Sequence, residues 1–214
     1  MVASRIHLVR HGEVHNPHGV LYGRIPGYGL SELGHRMADA AARALEESGA
    51  PVNRVIASPL QRAQESAAPW AERFALEVAT DERVIEPTNR FEGSRFPSPA
   101  RIARSPRLWP LVVDPVKPSW GESYRSIAAR MADAVKAAYR SVPDGDVVIV
   151  SHQLPIWMVH LSLAGERLFH DPRQRRCALS SITTVERVGD RFVETGYLDA
   201  AAGLSDLAVD TGAV

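Results

Sequence analysis

Three short apolar segments each end in reactive polar side chains, and this pattern constrains the fold more than any other feature. The segments cover residues 6–9, 55–57 and 146–151. They are rich in Val, Ile and Leu without a polar alternation, which is typical of strands buried on both faces. The residues that follow them are Arg10 and His11, Ser58, and His152. Because the carboxyl ends of parallel strands meet at one edge of a sheet, we expect these side chains to lie close together.

The segments between the apolar runs carry helix start signals. A helix from Ser31 to about Ser48 would use the Ser31 hydroxyl as its N-cap. A second helix would begin with Ser58 as cap and Pro59 as first helical residue, and would continue to about Phe74. Its first N–H groups would point toward an anion at the sheet edge.

The second half of the chain continues the alternation. A helix is predicted over 122–141, another from Pro155, and a hairpin over 181–188 and 191–197 that turns at Gly189. Strands that alternate with helices predict an α/β fold, a three-layer sandwich whose mostly parallel sheet has helices on both faces.

The length favours one domain. The chain has 214 residues, and we expect residues 1–200 to share a single hydrophobic core. Residues 87–118 are rich in proline and show little periodicity, which predicts an irregular, lid-like insertion. Residues 201–214 are small and polar and should form a flexible tail.

The composition limits the partners that charge could recruit. Acidic and basic residues balance at 25 each, so there is no bulk positive field to gather nucleic acid or an anionic membrane. The single cysteine, Cys177, excludes an intrachain disulfide, and no apolar run approaches the ~20 residues that span a bilayer. We therefore expect a cytoplasmic protein that binds neither nucleic acid nor membrane, and the sequence is compatible with a homodimer.

Two guanidiniums and two imidazoles would share the expected site: Arg10, His11, Arg62 and His152. Arginine side chains can each grip two oxygens of a phosphoryl group. A neutral imidazole is a competent nucleophile near neutral pH, because its unperturbed pKa is ~6.5. This set of residues indicates phosphoryl-transfer chemistry.

Three motifs, in this order along residues 5–160, resemble the signatures of a known family. They are Arg10-His11-Gly12-Glu13, Ser58-Pro59-Leu60-Gln61-Arg62-Ala63 and Val150-Ser151-His152. The family is the histidine phosphatase superfamily, in the branch that includes cofactor-dependent phosphoglycerate mutase. The resemblance implies a phosphoglycerate mutase-like fold and a phosphohistidine intermediate.

The resemblance also implies roles for individual residues. His11 would be the nucleophile, and Arg10, Arg62 and His152 would hold the phosphoryl oxygens. An acidic residue that follows a strand would protonate the leaving oxygen. Glu86 is our choice for that acid, and Glu92 is the alternative.

Further residues are candidates for contact with a small phosphorylated substrate. They are Asn16, Gly23, Arg24 and Gln153. No metal or other cofactor is expected, because arginines would supply the positive charge. Zinc held by His7, His11, His15 and His18 is an alternative, since imidazole suits this metal.

These features favour a metal-independent phosphatase acting on phosphate monoesters. Two other functions stay open: a phosphoglycerate-type phosphomutase, and a regulatory domain that binds phosphate without turnover. Two basic clusters, over 101–107 and 173–176, are interpreted as solvated surface. The first cluster, with Trp109 and Trp120 beside it, could instead recognise a second anionic group of the substrate.

Overall fold

The structure of the chain, a computed structural model, describes residues 2–94, Arg104 and residues 121–209. Within these residues six strands form one sheet. The strands are β1 (Arg5–Arg10), β2 (Val52–Ala57), β3 (Val78–Thr80), β4 (Asp146–Ser151), β5 (Ile182–Val188) and β6 (Arg191–Leu198). The helices are α1 (Glu32–Glu47), α2 (Gln61–Phe74), α3 (Tyr124–Tyr139), α4 (Gln153–Ala164) and α5 (Ala202–Ser205).

The sheet has the strand order β3-β2-β4-β1-β5-β6. Strands β1 to β4 run parallel, and the hairpin of β5 and β6 adds two antiparallel strands beside β1. Arg10 pairs with Ser151, and Ala57 pairs with Val150. The residues that follow β1, β2 and β4 therefore leave the sheet side by side at its carboxyl edge.

Helices cover both faces of the sheet. Val148 and Val150 of β4 pack in a core with α1 and α2, whereas Val147 and Ile149 pack in a core with α3 and α4. Successive side chains of a strand point to opposite faces, so a strand without polar alternation supplies both cores. The predicted three-layer α/β sandwich with a mostly parallel sheet is confirmed.

Two local predictions were wrong. Helix α2 begins at Gln61 with Leu60 in the cap position, and Ser58 does not cap it. Instead, the Ser58 N–H donates to the Val150 carbonyl as an extension of β2, and the Ser58 hydroxyl lies 2.8 Å from His152 Nε2. The expected strand before Glu86 is replaced by a 3₁₀ turn at Glu82–Val84.

The predicted insertion, 87–118, lies for the most part outside the described residues, as does the basic cluster at 101–107 apart from Arg104. An antiparallel bridge between Asn89 and Gly121 brings together the two chain segments that flank the undescribed residues. Within the segment predicted to be a tail, α5 forms one helical turn, and the Val209 N–H donates to Glu13 Oε1 at 2.6 Å. None of the helices in the described ranges is both long and apolar enough to cross a membrane.

The loop after β1 packs tightly against the first turn of α1. A methyl group added to Gly34 would overlap the Glu13 carbonyl oxygen. We therefore expect Gly34→Ala to lower the free energy of unfolding by about 1–3 kcal/mol, as overpacking does elsewhere. Urea denaturation of both proteins measures the change.

Gly203→Ala is the matched control for this substitution. Gly203 lies in α5, is exposed, and has no described neighbour within 4 Å of an added methyl group. Alanine exceeds glycine in helix propensity by about 1 kcal/mol, so this change should be neutral or stabilising. Equal destabilisation by the two variants would contradict the close backbone contact at Gly34.

Candidate active site

The sheet edge places two histidines next to each other. His11 directly follows β1, and His152 directly follows β4 as the N-cap residue of α4. The His11 N–H donates to the Ser151 carbonyl at 3.1 Å, which continues the β1–β4 ladder by one residue. The two imidazole rings meet edge to face, with centroids 5.2 Å apart. Residues separated by 141 positions in sequence therefore share one buried pocket.

The hydrogen bonds of His11 define which ring nitrogen is reactive. His11 Nδ1 lies 2.7 Å from the Gly12 carbonyl oxygen, which can only accept, so Nδ1 carries the proton. Nε2 then bears the lone pair and accepts a hydrogen bond from Arg62 Nε at 3.3 Å. Burial, together with the charges of Arg62 and Arg10, lowers the pKa of His11 well below 6.5. The imidazole is thus neutral and suited to nucleophilic attack at Nε2.

The ring of His152 is held by Ser58, the residue that follows β2. Its Nε2 lies 2.8 Å from the Ser58 hydroxyl oxygen, and burial is the largest cause that lowers the pKa of His152 well below 6.5. The Leu60 N–H donates to the same hydroxyl oxygen at 3.4 Å. The other ring nitrogen, Nδ1, has no hydrogen-bond partner among the described residues and lies 3.4 Å from Glu86 Oε2.

Arg62 connects three parts of the pocket. Its Nε contacts His11, its Nη2 donates to the Gly23 carbonyl oxygen at 2.8 Å, and the same Nη2 lies 3.9 Å from Glu86 Oε2. The guanidinium also stacks over the Tyr22 ring at 4.8 Å, a cation–π contact. These contacts fix a fully desolvated cation beside His11 Nε2.

Arg10 is a second buried cation of the site. Its side chain is fully buried, and Nη1 donates to the Cys177 carbonyl oxygen at 2.7 Å. Its charge helps to lower the pKa of His11 and opposes the rise in the pKa of Glu86. The predicted grouping of two arginines and two histidines is therefore present in the structure.

Glu86 is the acidic residue that the fold brings into the pocket. It is buried, and burial raises its pKa above 4.5, although the charges of Arg62 and Arg10 oppose the rise. The alternative acid, Glu92, is half-exposed and accepts a hydrogen bond from the Asn89 N–H at 3.2 Å. The geometry therefore favours Glu86 over Glu92 as the group that exchanges a proton with a bound substrate.

The four candidate substrate contacts have different surroundings. Asn16 stabilises its own loop, because its side chain donates a hydrogen bond to the Val20 carbonyl oxygen and accepts one from the Val20 N–H. Gly23 offers its carbonyl oxygen to Arg62, and Arg24 Nε donates to the Glu86 carbonyl oxygen at 2.6 Å. These two residues therefore support the pocket, and their direct contact with substrate stays a prediction.

Gln153 is the fourth candidate, at the first position of α4 immediately after His152. Its Oε1 accepts a hydrogen bond from Arg175 Nη1 at 3.2 Å. A side chain from the region 173–176, assigned to solvated surface from the sequence, thus reaches the rim of the pocket.

Two supporting residues were missed by the sequence analysis. Ser66 accepts a hydrogen bond from the Gly12 N–H and donates to the Arg62 carbonyl oxygen, which ties the loop after His11 to α2. Its spacing of four residues from Arg62 on a predicted helix was a usable signal. Nothing in the sequence indicates that the Cys177 carbonyl would hold Arg10, because that contact joins residues 167 positions apart.

One group of potential metal ligands lies within the described residues: His11, Glu86 and His152, with one ligand atom of each within 4.8 Å of the others. The adjacent charges of Arg10 and Arg62 disfavour a divalent cation there and favour an anion. The alternative zinc site on four histidines near the N-terminus is not assembled. His7 instead lies inside the sheet against Asp146 and Thr184.

Known proteins with similar sequences support the family resemblance. The sequence model described as Histidine phosphatase superfamily (branch 1) matches residues 6–199. Uncharacterized protein Rv0525 of Mycobacterium tuberculosis is 51% identical over 199 residues, which cover 93% of this chain and 98% of that protein. Bifunctional protein Rv2228c of the same organism is 31% identical over 207 residues, 91% of this chain and 55% of that protein.

Solved structures show the same fold. A mycobacterial glucosyl-3-phosphoglycerate phosphatase, Rv2419c, superposes with a TM-score of 0.67 at 26% identity, and the match covers 90% of this chain and 97% of that one. A mutant of phosphoserine phosphatase from Entamoeba histolytica, in complex with phosphoserine, gives a TM-score of 0.73 at 21% identity, over 92% and 97% of the two chains. With the family model matching nearly the whole sequence, this protein belongs to branch 1 of the histidine phosphatase superfamily.

Proposed function

We propose that this protein is a metal-independent phosphatase that hydrolyses phosphate monoesters through a phosphohistidine on His11. The observation that carries the proposal is the unprotonated Nε2 of His11, which faces Arg62 beside the buried Glu86. This arrangement combines a nucleophile, an anion site and a proton donor in one pocket. The mycobacterial structural neighbour at 26% identity is itself described as a phosphatase.

In the first step, His11 Nε2 attacks the phosphorus atom of the bound monoester. An N–P bond forms, and the P–O bond to the leaving group breaks. Glu86, protonated because burial raises its pKa, gives its proton to the leaving oxygen. Arg10, Arg62 and His152 stabilise the equatorial oxygens, which carry the charge of a loose transition state.

In the second step, water takes the place of the departed alcohol. Glu86, now a carboxylate, accepts a proton as the water oxygen attacks phosphorus. The N–P bond breaks, and its electron pair returns to His11 Nε2. The pocket is thereby restored with His11 neutral and Glu86 protonated, and inorganic phosphate leaves.

We expect His11→Ala to abolish both turnover and the phosphoenzyme, because no other described side chain presents a nucleophilic nitrogen at the position of Nε2. Brief incubation with a ³²P-labelled monoester, followed by denaturing electrophoresis, measures acid-labile label on the protein. His35→Ala, which changes an exposed histidine on α1, is the matched control and should retain the label. An acid-labile phosphoenzyme of undiminished yield in His11→Ala would refute the mechanism.

The pH profile follows from the two shifted pKa values. The first step needs neutral His11 and protonated Glu86, so kcat/KM should fall as pH drops through the lowered pKa of His11. It should also fall as pH rises through the raised pKa of Glu86. Glu86→Gln should remove the fall on the alkaline side and reduce kcat/KM for alkyl phosphates by about 10²–10⁴.

Two comparisons isolate this role of Glu86. In Glu86→Gln, kcat/KM for nitrophenyl phosphate should fall far less than kcat/KM for an alkyl phosphate, because the nitrophenolate leaving group needs no proton. Glu92→Gln, the matched control, should keep the alkaline limb of the profile. An unchanged alkaline limb in Glu86→Gln, with its loss in Glu92→Gln, would transfer the acid role to Glu92.

A phosphomutase is the second candidate, favoured by one sequence match. A 2,3-bisphosphoglycerate-dependent phosphoglycerate mutase of Thermoplasma acidophilum is 39% identical over 80 residues, 37% of this chain and 39% of that protein. A mutase would return the phosphoryl group to another hydroxyl of the substrate and exclude water. We expect phosphate release, rather than isomerisation, from 3-phosphoglycerate with and without its bisphosphate primer.

Binding of vanadate without release of phosphate from any monoester would instead identify a regulatory domain.

A further inference from the structure

The side cavity is a space of about 290 Å³ that is lined by the segments 24–28 and 59–62. Two of its lining residues contact Glu86. Arg62 Nη2 lies 3.9 Å from Glu86 Oε2, and Arg24 Nε donates to the Glu86 carbonyl oxygen at 2.6 Å. The side cavity therefore borders the acid that would protonate the leaving oxygen.

Arg62 also connects the side cavity to the nucleophile. Its Nε contacts His11 Nε2 at 3.3 Å, while its Nη2 faces Glu86. The guanidinium thus extends from the attacking nitrogen toward the acid, which act at opposite ends of an in-line displacement. A phosphoryl group between them would have its ester oxygen at the Glu86 end. The rest of the leaving group would then extend along the lining of the side cavity.

Apolar and aromatic side chains form most of this lining. They belong to Ile25, Pro26, Tyr28, Pro59 and Leu60. The Tyr28 ring stacks on the Tyr22 ring with centroids 5.3 Å apart, and the Arg62 guanidinium lies over Tyr22. This stack fixes Tyr28 relative to the cation beside His11. Each methylene group buried against such a surface strengthens binding by up to about fourfold.

The polar side chains of the lining have partners within the protein. Gln61 Nε2 donates to Glu65 Oε1 at 2.7 Å. Arg24 Nη2 lies 3.8 Å from Glu122 Oε2, so a negative charge already faces its guanidinium. Arg62 would be used by the phosphoryl group itself. The side cavity is therefore better suited to an uncharged, apolar group than to a second anion.

We propose that the side cavity binds the leaving group of the substrate, and that this group is an uncharged alkyl or aryl group in contact with Tyr28 and Leu60. The inference rests on the proposed function, because it needs a phosphoryl group held at His11. The volume of about 290 Å³ lies at the lower end of small-molecule sites, which span about 300–1,000 Å³. It therefore limits the leaving group to one ring or a short chain.

Monoesters that differ only in the leaving group test the assignment. Ethyl, butyl and hexyl phosphate release alcohols of nearly equal acidity, so a trend in kcat/KM along this series reports contact with the chain. In the wild-type protein kcat/KM should rise by about two- to fourfold per added methylene group. Propyl phosphate should exceed glycerol 3-phosphate by at least about tenfold, because the two hydroxyl groups of glycerol would lose water on entering the side cavity.

Variants of the lining locate the preference. Leu60→Ala removes apolar surface and should lower the ratio of kcat/KM for hexyl phosphate to kcat/KM for ethyl phosphate by about three- to tenfold. Leu198→Ala, the matched control, shortens an exposed leucine at the end of β6 and should leave this ratio unchanged. Tyr28→Ala should lower the ratio, whereas Tyr28→Phe, which keeps the stacked ring, should retain it.

Inhibition by alkylphosphonates measures the same contact without a variant. These compounds carry the chain on phosphorus through a carbon atom and have no ester bond to break. The inhibition constant of hexylphosphonate for the wild-type protein should be at least about tenfold lower than that of ethylphosphonate.

Four results would each overturn the proposal. They are a flat or falling trend from ethyl to hexyl phosphate, a preference for glycerol 3-phosphate over propyl phosphate, an equal loss for ethyl and hexyl phosphate in Leu60→Ala, and the same fall in the ratio in Leu198→Ala. Failure of the proposed function has a separate signature. In that case the wild-type protein would release no phosphate even from nitrophenyl phosphate, and His11 would acquire no label.

Discussion

The hydrogen bond between Arg62 and the unprotonated nitrogen of His11 is the interaction on which the pocket depends. It requires that His11 carry its proton on Nδ1, and the Gly12 carbonyl oxygen enforces this tautomer. It also requires that Arg62 remain oriented while fully buried, which the Gly23 carbonyl and the Tyr22 ring accomplish. The loop between β1 and α1 and the start of α2 therefore adopt mutually dependent conformations.

Burial has opposite consequences for the bases and the acid of this pocket. Removal from water disfavours any charged form, so it lowers the pKa values of His11 and His152 and raises that of Glu86. The neighbouring guanidiniums strengthen the first effect and weaken the second. The same desolvation thus favours a neutral imidazole at His11 and a carboxyl group at Glu86 that retains its proton to higher pH.

The sheet and the grouping of the pocket residues could be predicted because both follow from local patterns. Runs such as 146–151 are apolar without alternation, and the edge rule for parallel strands then brings His11 and His152 together. The start of α2 could not be predicted in this way. Ser58 and Pro59 form a good local helix start, but the Ser58 hydroxyl is used by His152, a partner 94 positions away.

The surroundings of Arg175 could not be predicted from the sequence either. Arg173 and Arg175 have the same side chain and nearly the same neighbours along the chain, yet one is paired with Asp171 in solvent and the other is held by His170 and Gln153. Local composition cannot separate them, since tertiary contacts decide which arginine is withdrawn from water. The contact between Arg10 and the Cys177 carbonyl depends on the same kind of long-range folding.

The bridge between Asn89 and Gly121 closes the base of the insertion three residues after Glu86. The two ends of the intervening stretch are thus tied to each other, so changes in its length or sequence need not displace the carboxyl group of Glu86. Relatives can therefore diverge in this stretch while the residues of the pocket stay constant. Such a division would let a lineage acquire new metabolic roles by changes in sequence between residues 94 and 121.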